Sequence, residues 1–236
     1  MVDKKMAHKL SNQASVVGTI HSEACLAAAL RLDARALDYF EIRVDSFIGR
    51  EEELLRKLPK LKLPLIVTVR HPGEGGAHPL TTTQRRNLFK KFLPHAALAD
   101  IELRSAGSLA DVIEWTQERG GRIILSHHNF RNTPSSARLS ILSEIARKAG
   151  ADIFKVATTA STLADITRLL EFQRGQKKPI SLMGMGNYGK VSRLLFAQAG
   201  SVLNYGFLGS AQVPGQWPAV VLKQRIRELL DAGSGK

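Results

Sequence analysis

The stretch "FEIRVD", residues 40–45, alternates apolar and charged side chains without a break. Side chains on a β-strand point to opposite faces in turn, so Glu41, Arg43 and Asp45 share one face and Ile42 and Val44 the other. The pattern returns in "IVTVR" (66–70), where Thr68 and Arg70 oppose Val67 and Val69. It returns again in "IELR" (101–104), where Glu102 and Arg104 oppose Ile101 and Leu103. An antiparallel sheet with one wet face would show such alternation as a matter of course. Here helix-like segments separate the strands and the charges are of both signs, which favours a parallel sheet covered by helices with its charged faces turned inward. Charges enclosed in that way cost several kcal/mol each unless paired, so they must satisfy one another or a ligand.

Working outward, short β-rich runs recur along the chain: "SVVGTI" (15–20), "LDYFEIRVD" (37–45), "PLIVTVR" (64–70), "ADIELR" (99–104), "RIILSHH" (122–128), "ADIFKVA" (151–157), "PISLMGM" (179–185) and "SVLNYGF" (201–207). Between them lie helical patterns such as "EACLAAALRLD", "TTQRRNLFKKFL", "SLADVIEWTQERG" and "PSSARLSILSEIARKAG". Ser108 suits an N-cap, and Gly120 and Gly121 the end of the same helix. Pro134 suits the first turn of the next helix, which Gly150 closes. Eight β-α units without a linker predict one α/β domain over residues 1–236, a (β/α)8 TIM barrel, with residues 1–13 a flexible extension. An open doubly wound sheet is the alternative. In a barrel the late-strand charges would gather at the carboxyl ends, where barrel active sites are built.

Composition narrows the class. Of 236 residues, 44% are hydrophobic and 23% charged, the balance of a globular protein. No apolar run approaches the length of a membrane span, and the polar start lacks a secretory h-region. Lone Cys25 permits no internal disulfide, which fits the cytoplasm. The net charge of +13 owes much to residues 172–227, which contain no Asp or Glu. Nucleic acid is disfavoured as its target, because aromatic residues are only 6% and do not interleave with the basic ones. Anionic small molecules are the better match.

Parity also sorts the pair in "IILSHHNF" (123–130). Ile123, Leu125 and His127 face the helices, whereas Ile124, Ser126 and His128 face inward, so His128 is the candidate for chemistry. On the next strand, Lys155 lies between Phe154 and Val156. A lysine among apolar residues is costly to hold charged, and a neutral amine is the nucleophile that forms a Schiff base. Amine and imidazole together suit imine formation followed by proton abstraction next to the former carbonyl. "GMGNYG" (184–189) fits G-x-G-x-x-G, but it falls in the seventh unit and no acid follows at ribose distance, so it reads as a flexible turn beside the site. Met183 and Met185 suit an apolar pocket floor, Arg193 the bidentate capture of a carboxylate, and Gln216 the donation of an amide to a substrate oxygen.

In order along the chain, "EIRVD", "VTVRHPGEGG", "DIELR", "SHHNFRNTP", "GADIFKVA", "PISLMGMGNYGKVSRLL" and "VPGQ" resemble the type I 3-dehydroquinate dehydratases. Lys155 also follows His128 by 27 residues, and Arg193 follows Met185 by 8, in keeping with that pattern. The resemblance implies a (β/α)8 barrel that dehydrates 3-dehydroquinate to 3-dehydroshikimate in the shikimate pathway. Lys155 would form the imine, His128 would act as acid and base, and Glu74 would orient His128. Arg193 would bind the substrate carboxylate. Glu41, Arg43, Arg70 and Gln216 would hold its oxygens, and Met183 and Met185 would line the site. No metal or organic cofactor is implied, and a homodimer is. The chain departs from the pattern at Gln212, where a small hydroxyl residue that helps close the site is common, and at Phe154 and Asn129. Three rivals are an aldolase-type Schiff-base barrel, a metal-dependent barrel using Glu41, Asp45, Glu102 and the histidines, and a basic binding module. The metal reading is weakened by Arg43, Arg70, Arg104 and Lys155, which would repel a divalent cation.

Overall fold

The structure, a computed structural model, describes residues 14–232. The extension expected over residues 1–13 lies outside them. Eight strands alternate with eight helices: β1 (Ser15–Ile20), α1 (Glu23–Arg31), β2 (Tyr39–Arg43), α2 (Glu51–Lys57), β3 (Leu65–Thr68), α3 (Thr82–Phe92), β4 (Leu98–Glu102), α4 (Ala110–Glu118), β5 (Arg122–Asn129), α5 (Ser136–Lys148), β6 (Ile153–Thr159), α6 (Leu163–Arg174), β7 (Ile180–Met185), α7 (Gly189–Gln198), β8 (Leu203–Phe207) and α8 (Ala219–Ala232). All the strand pairs are parallel, and the order runs β7 to β1 and then β8. A doubly wound sheet would reverse that order at a switch point, so the architecture is the (β/α)8 barrel. The ring is completed between β7 and β8 by Val202 N–H donating to Ile180 O (3.0 Å) and by two serines. Ser181 Oγ donates to Leu203 O (2.5 Å), and Ser201 Oγ accepts from Leu182 N (3.1 Å). No helix among the described residues is long and apolar enough to cross a membrane.

Strand parity divides the core in two. Ile42, Val67, Ile101, Leu125, Val156 and Leu182 pack outward against Phe89, Leu142, Leu169 and other helix residues. Val17, Tyr39, Ile66, Leu98, Ile124, Ile153 and Leu203 fill the lower part of the barrel interior. Strands β1 to β6 therefore lead from an apolar floor toward polar residues such as Thr19, Glu41, Asp100, Ser126 and Lys155, whereas β7 turns Met183 and Met185 to the upper interior. Burying such side chains stabilises by about 1.5–3 kcal/mol apiece, which sets the strand register firmly.

Several local expectations are corrected. The second strand ends at Arg43, and Val44–Phe47 turns into a 3-10 helix. Beyond Glu102 the chain likewise enters a 3-10 turn (Leu103–Ser105), which breaks the alternation and leaves Arg104 exposed. Ser108 does not cap α4: the N-cap is Leu109, and the Ser108 hydroxyl donates to Ser105 O (3.1 Å). Pro134 stands outside α5, whose cap is Ser135, accepting from Arg138 N.

"GMGNYG" is explained by packing. A Cβ on Gly189 would lie 2.7 Å from the backbone of Gly215, so the β7–α7 and β8–α8 loops touch without side chains between them. Gly206 plays the same part lower down, where a Cβ would lie 2.5 Å from the Ala219 Cα at the start of α8. Gly206→Ala is therefore expected to lower stability by about 1–3 kcal/mol in urea unfolding, since backbone rather than a flexible side chain must move. Unchanged stability would show that α8 is free to shift.

Candidate active site

The polar upper half of the barrel opens into a cavity of about 290 Å³. The residues that the family resemblance placed at the site all line it: Glu41, Arg43, Arg70, Glu74, His128, Lys155, Met183, Met185, Arg193, Gln212 and Gln216, whereas Asp45, Glu102 and Arg104 do not. Thr19, Phe130 and Tyr205 line it as well and had not been singled out.

At its base, β6 carries Lys155 level with Ser126 on β5. Phe154 and Val156 face away, and the lysine amine meets carboxylates rather than the apolar surroundings expected from its neighbours in sequence. Lys155 Nζ donates to Asp100 Oδ2 (2.7 Å), stands 3.6 Å from Glu41 Oε1, and lies 3.8 Å from the centre of the Tyr205 ring. Glu41 also accepts from Thr19 Oγ1 (3.1 Å) and Thr68 Oγ1 (2.9 Å). Asp100 is the chief residue that sequence reading missed. It shares strand parity with Glu102, and the alternation in "ADIE" marked it, but its apolar neighbours drew attention to the end of the strand instead.

Arg70 is the centre of the charge cluster. Its Nη1 donates to Asp100 Oδ1 (3.2 Å), Glu102 Oε1 (3.1 Å) and Ser126 Oγ (2.9 Å), and its Nη2 to Asp100 Oδ2 (3.2 Å). Its donors are thus engaged with protein carboxylates, and Arg70 organises the site more than it offers a free fork. Arg43 is similarly held, bidentate on Asp45 through Nε (2.9 Å) and Nη2 (2.7 Å), with Nη2 also on Gly75 O. Burial alone would raise the Asp100 carboxyl, but Arg70 and Lys155 outweigh it and hold that group well below the usual carboxylate range.

Two pleats above, His128 completes the inward face of β5, level with Ala157. Glu74, from the 3-10 turn Pro72–Glu74, accepts from His128 N (3.1 Å), and its Oε2 lies 2.9 Å from His128 Nδ1. Burial, helped by Arg70 and Lys155 against Asp100, keeps His128 well below an ordinary histidine and therefore neutral. Burial, with the charge of Glu102 adding to it, pushes Glu74 up to about 7. The couple is thus poised to exchange a proton near neutrality. His127 has the opposite parity, is lowered by burial and by Arg138 of α5, and belongs to the outer layer.

Arg193 reaches the rim from α7 with 2% of its surface exposed. Its Nε donates to Tyr205 O (3.1 Å), and its Nη1 is shared among Gly184 O (2.8 Å), Gly189 O (2.8 Å) and Gly215 O (2.7 Å). Nη2 has no hydrogen-bond partner among the described residues, so the Nη2 end of the guanidinium is the part open to the bidentate contact expected of Arg193. Among the described residues no carboxylate pairs with this cation, and burial lowers it to about 10. Opposite, Gln216 Oε1 accepts from the backbone of Gln212 (2.7 Å) and Val213 (3.4 Å), which orders the β8–α8 loop. A cavity with a buried amine, a poised imidazole–carboxylate couple and a cation lacking an anion can bind an anionic ketone and move protons beside its carbonyl.

The type I 3-dehydroquinase family model matches residues 14–231. The chain is 36% identical over 189 residues to the 3-dehydroquinate dehydratase of Aquifex aeolicus, covering 78% of this chain and 84% of that protein. It is 35% identical over 216 residues to that of Methanocella arvoryzae, covering 91% and 96%. Among solved structures, the type I enzyme of Clostridium difficile with covalently modified comenic acid superposes with a TM-score of 0.85 at 25% identity, over 94% of each chain.

The Tyr205 hydroxyl is buried with no hydrogen-bond partner among the described residues. Removing an unpartnered buried polar atom relieves a desolvation cost, so Tyr205→Phe should hold or raise stability, by up to about 1 kcal/mol in urea unfolding. A clear loss would mean that the hydroxyl is bonded.

Proposed function

The chain belongs to the type I 3-dehydroquinase family, and on that footing we propose that it dehydrates 3-dehydroquinate to 3-dehydroshikimate through an imine on Lys155, with His128 as acid and base. This is the hydro-lyase step of the shikimate pathway. The observation that carries it is that Lys155 and the Glu74–His128 couple open onto one cavity beside Arg193, a buried cation with no carboxylate partner among the described residues.

The substrate carboxylate docks on Arg193 Nη2 and supplies the missing anion. The ring ketone then lies toward Lys155, which gives up a proton to solvent and attacks the carbonyl carbon, and a proton returned from solvent reaches the carbinolamine hydroxyl. The carbinolamine loses water to leave a protonated imine, which draws electrons from the neighbouring carbon. His128 removes the proton there, supported by Glu74, and the C–H electrons enter the imine system as an enamine. Return of those electrons expels the β-hydroxyl, which takes the proton from His128 and leaves as water. Hydrolysis of the conjugated imine consumes one water, frees the product and restores the amine, so the net change is the loss of one water. Asp100 and Glu41 steady the amine and its cationic imine, and the Tyr205 ring face does so from the side. Arg43, Arg70 and Gln216 hold the surrounding polar framework, Met183 and Met185 give the apolar wall, and Gln212 caps the mouth. The cytoplasmic compartment in this reading rests on the free, buried Cys25, and homodimer assembly on the family resemblance.

Borohydride added with 3-dehydroquinate should trap a covalent adduct, seen as an increase in intact mass that Lys155→Ala abolishes. Turnover that persists in Lys155→Ala with no adduct in the unaltered protein would overturn the mechanism. The two histidines should part company: His128→Ala retains imine formation but slows dehydration by about 10²–10⁴, whereas His127→Ala leaves the rate near that of the unaltered protein. Equal losses would contradict the assignment of faces.

A further inference from the structure

One fully buried charge plays no part in the steps above. Arg85 sits on α3, in the outer helix layer, yet it is only 1% exposed, and its guanidinium passes between the upper ends of β3 and β4. Nε donates to Val69 O (2.9 Å), Nη1 donates to Ser105 Oγ (2.9 Å), and Nη2 is bonded to Glu102 Oε2. The other oxygen of Glu102 accepts from Arg70 Nη1 (3.1 Å) and from the backbone N–H of His71 (2.9 Å). His71 starts the turn that carries Glu74, and its carbonyl accepts from Glu74 N (2.9 Å) and Gly76 N (3.1 Å). A continuous line of contacts therefore runs from Arg85 through Glu102 and the 71–74 turn to Glu74 and His128.

We propose that Arg85 is a positioning residue for the Glu74–His128 couple, holding Glu102 so that the 71–74 turn keeps its place and the negative field on Glu74 stays limited. The proposal rests on the functional reading above and deepens it. Glu102 is flanked by two guanidiniums, Arg85 and Arg70, and Arg70 is shared with Asp100 and Glu41. Without Arg85, Glu102 keeps one shared guanidinium and the backbone N–H of His71. The groups acting on Glu74 are Glu102, Arg70, Arg104 and the His128 N–H that bonds it, with burial, and the negative one among them would be strengthened. His128 answers to Arg70, Lys155, Arg43 and Asp100, none of which Arg85 touches. A Glu102 carboxylate left less compensated makes the couple bind its proton more tightly, so the acid limb of the rate profile moves to higher pH. A neutral residue at position 102 moves it the other way.

The test compares Arg85→Gln, Arg85→Lys and Glu102→Gln by three readouts: the pH profile of kcat, borohydride trapping, and the titration midpoint of His128 by NMR in the unliganded protein. Arg85→Gln should lower kcat by about ten- to a hundredfold, a part of what a proton-transfer group contributes, and raise the limb and midpoint, while trapping on Lys155 persists. Arg85→Lys restores the charge but not the planar fork, so the limb returns while kcat stays reduced. Glu102→Gln should lower the limb and midpoint, and it keeps the proposal testable if Arg85→Gln fails to fold. A limb and midpoint unmoved by Glu102→Gln, or a full kcat in Arg85→Lys, would overturn the proposal. If the unaltered protein forms no adduct and shows no turnover, the functional reading falls, and the NMR midpoints still decide the role of Arg85.

Discussion

The structure depends on the fact that charged side chains enclosed in a barrel must answer one another. Arg70 bonds Asp100 and Glu102 and stands 3.6 Å from Glu41, and Asp100 also receives Lys155. Removing one member of such a set leaves a buried charge uncompensated, typically at 3–5 kcal/mol. The set is held by what lies beneath and around it: an apolar floor of Ile66, Ile124 and Ile153, and an outer sleeve that fixes strand register. The barrel carries the cost of these charges because they open onto a cavity, where they can act on something from outside.

How the charges are shared out sets the chemistry. Cations lie deep, around carboxylates they can neutralise, and His128 sits above them, kept neutral by burial and by Arg70 and Lys155. Burial, with the charge of Glu102 added, raises the Glu74 carboxyl to about 7, whereas Arg70 and Lys155 hold Asp100 down against its own burial. Two carboxylates on neighbouring elements thereby take different roles, one a fixed charge and one a partner in proton movement. Arg193 lies apart from this network, bonded only to carbonyls, and so retains its attraction for an anion.

The parts legible in the sequence were those governed by a strict period. Alternation gave the inward faces of Glu41, Arg43 and Glu102 and separated His128 from His127, because residues within a strand have no freedom to choose a side, and it carried on to Arg70, two residues past the end of β3. It failed past the end of β4, where a 3-10 turn carries Arg104 out to solvent. Asp100 was hidden among alanine and isoleucine, and its importance appears only when Lys155, 55 residues later, folds against it. Arg85 sits in a polar helix as one of two adjacent arginines, and nothing local tells that it points inward while Arg86 meets Asp111 at the surface. Helix starts proved similarly local: α4 begins after Leu109, which makes no side-chain capping bond, and α5 is capped by Ser135 with Pro134 one residue outside. The resemblance supplied the reaction, which parity alone could not.

A crystal structure of the borohydride-reduced complex with 3-dehydroquinate tests the central claim most directly. The account predicts a single bond from the ring carbon to Lys155 Nζ, the carboxylate on Arg193 Nη2, and His128 beside the carbon next to the attachment point. A carboxylate bound to Arg43 or Arg70 with Arg193 untouched, or an adduct on any other side chain, would contradict it.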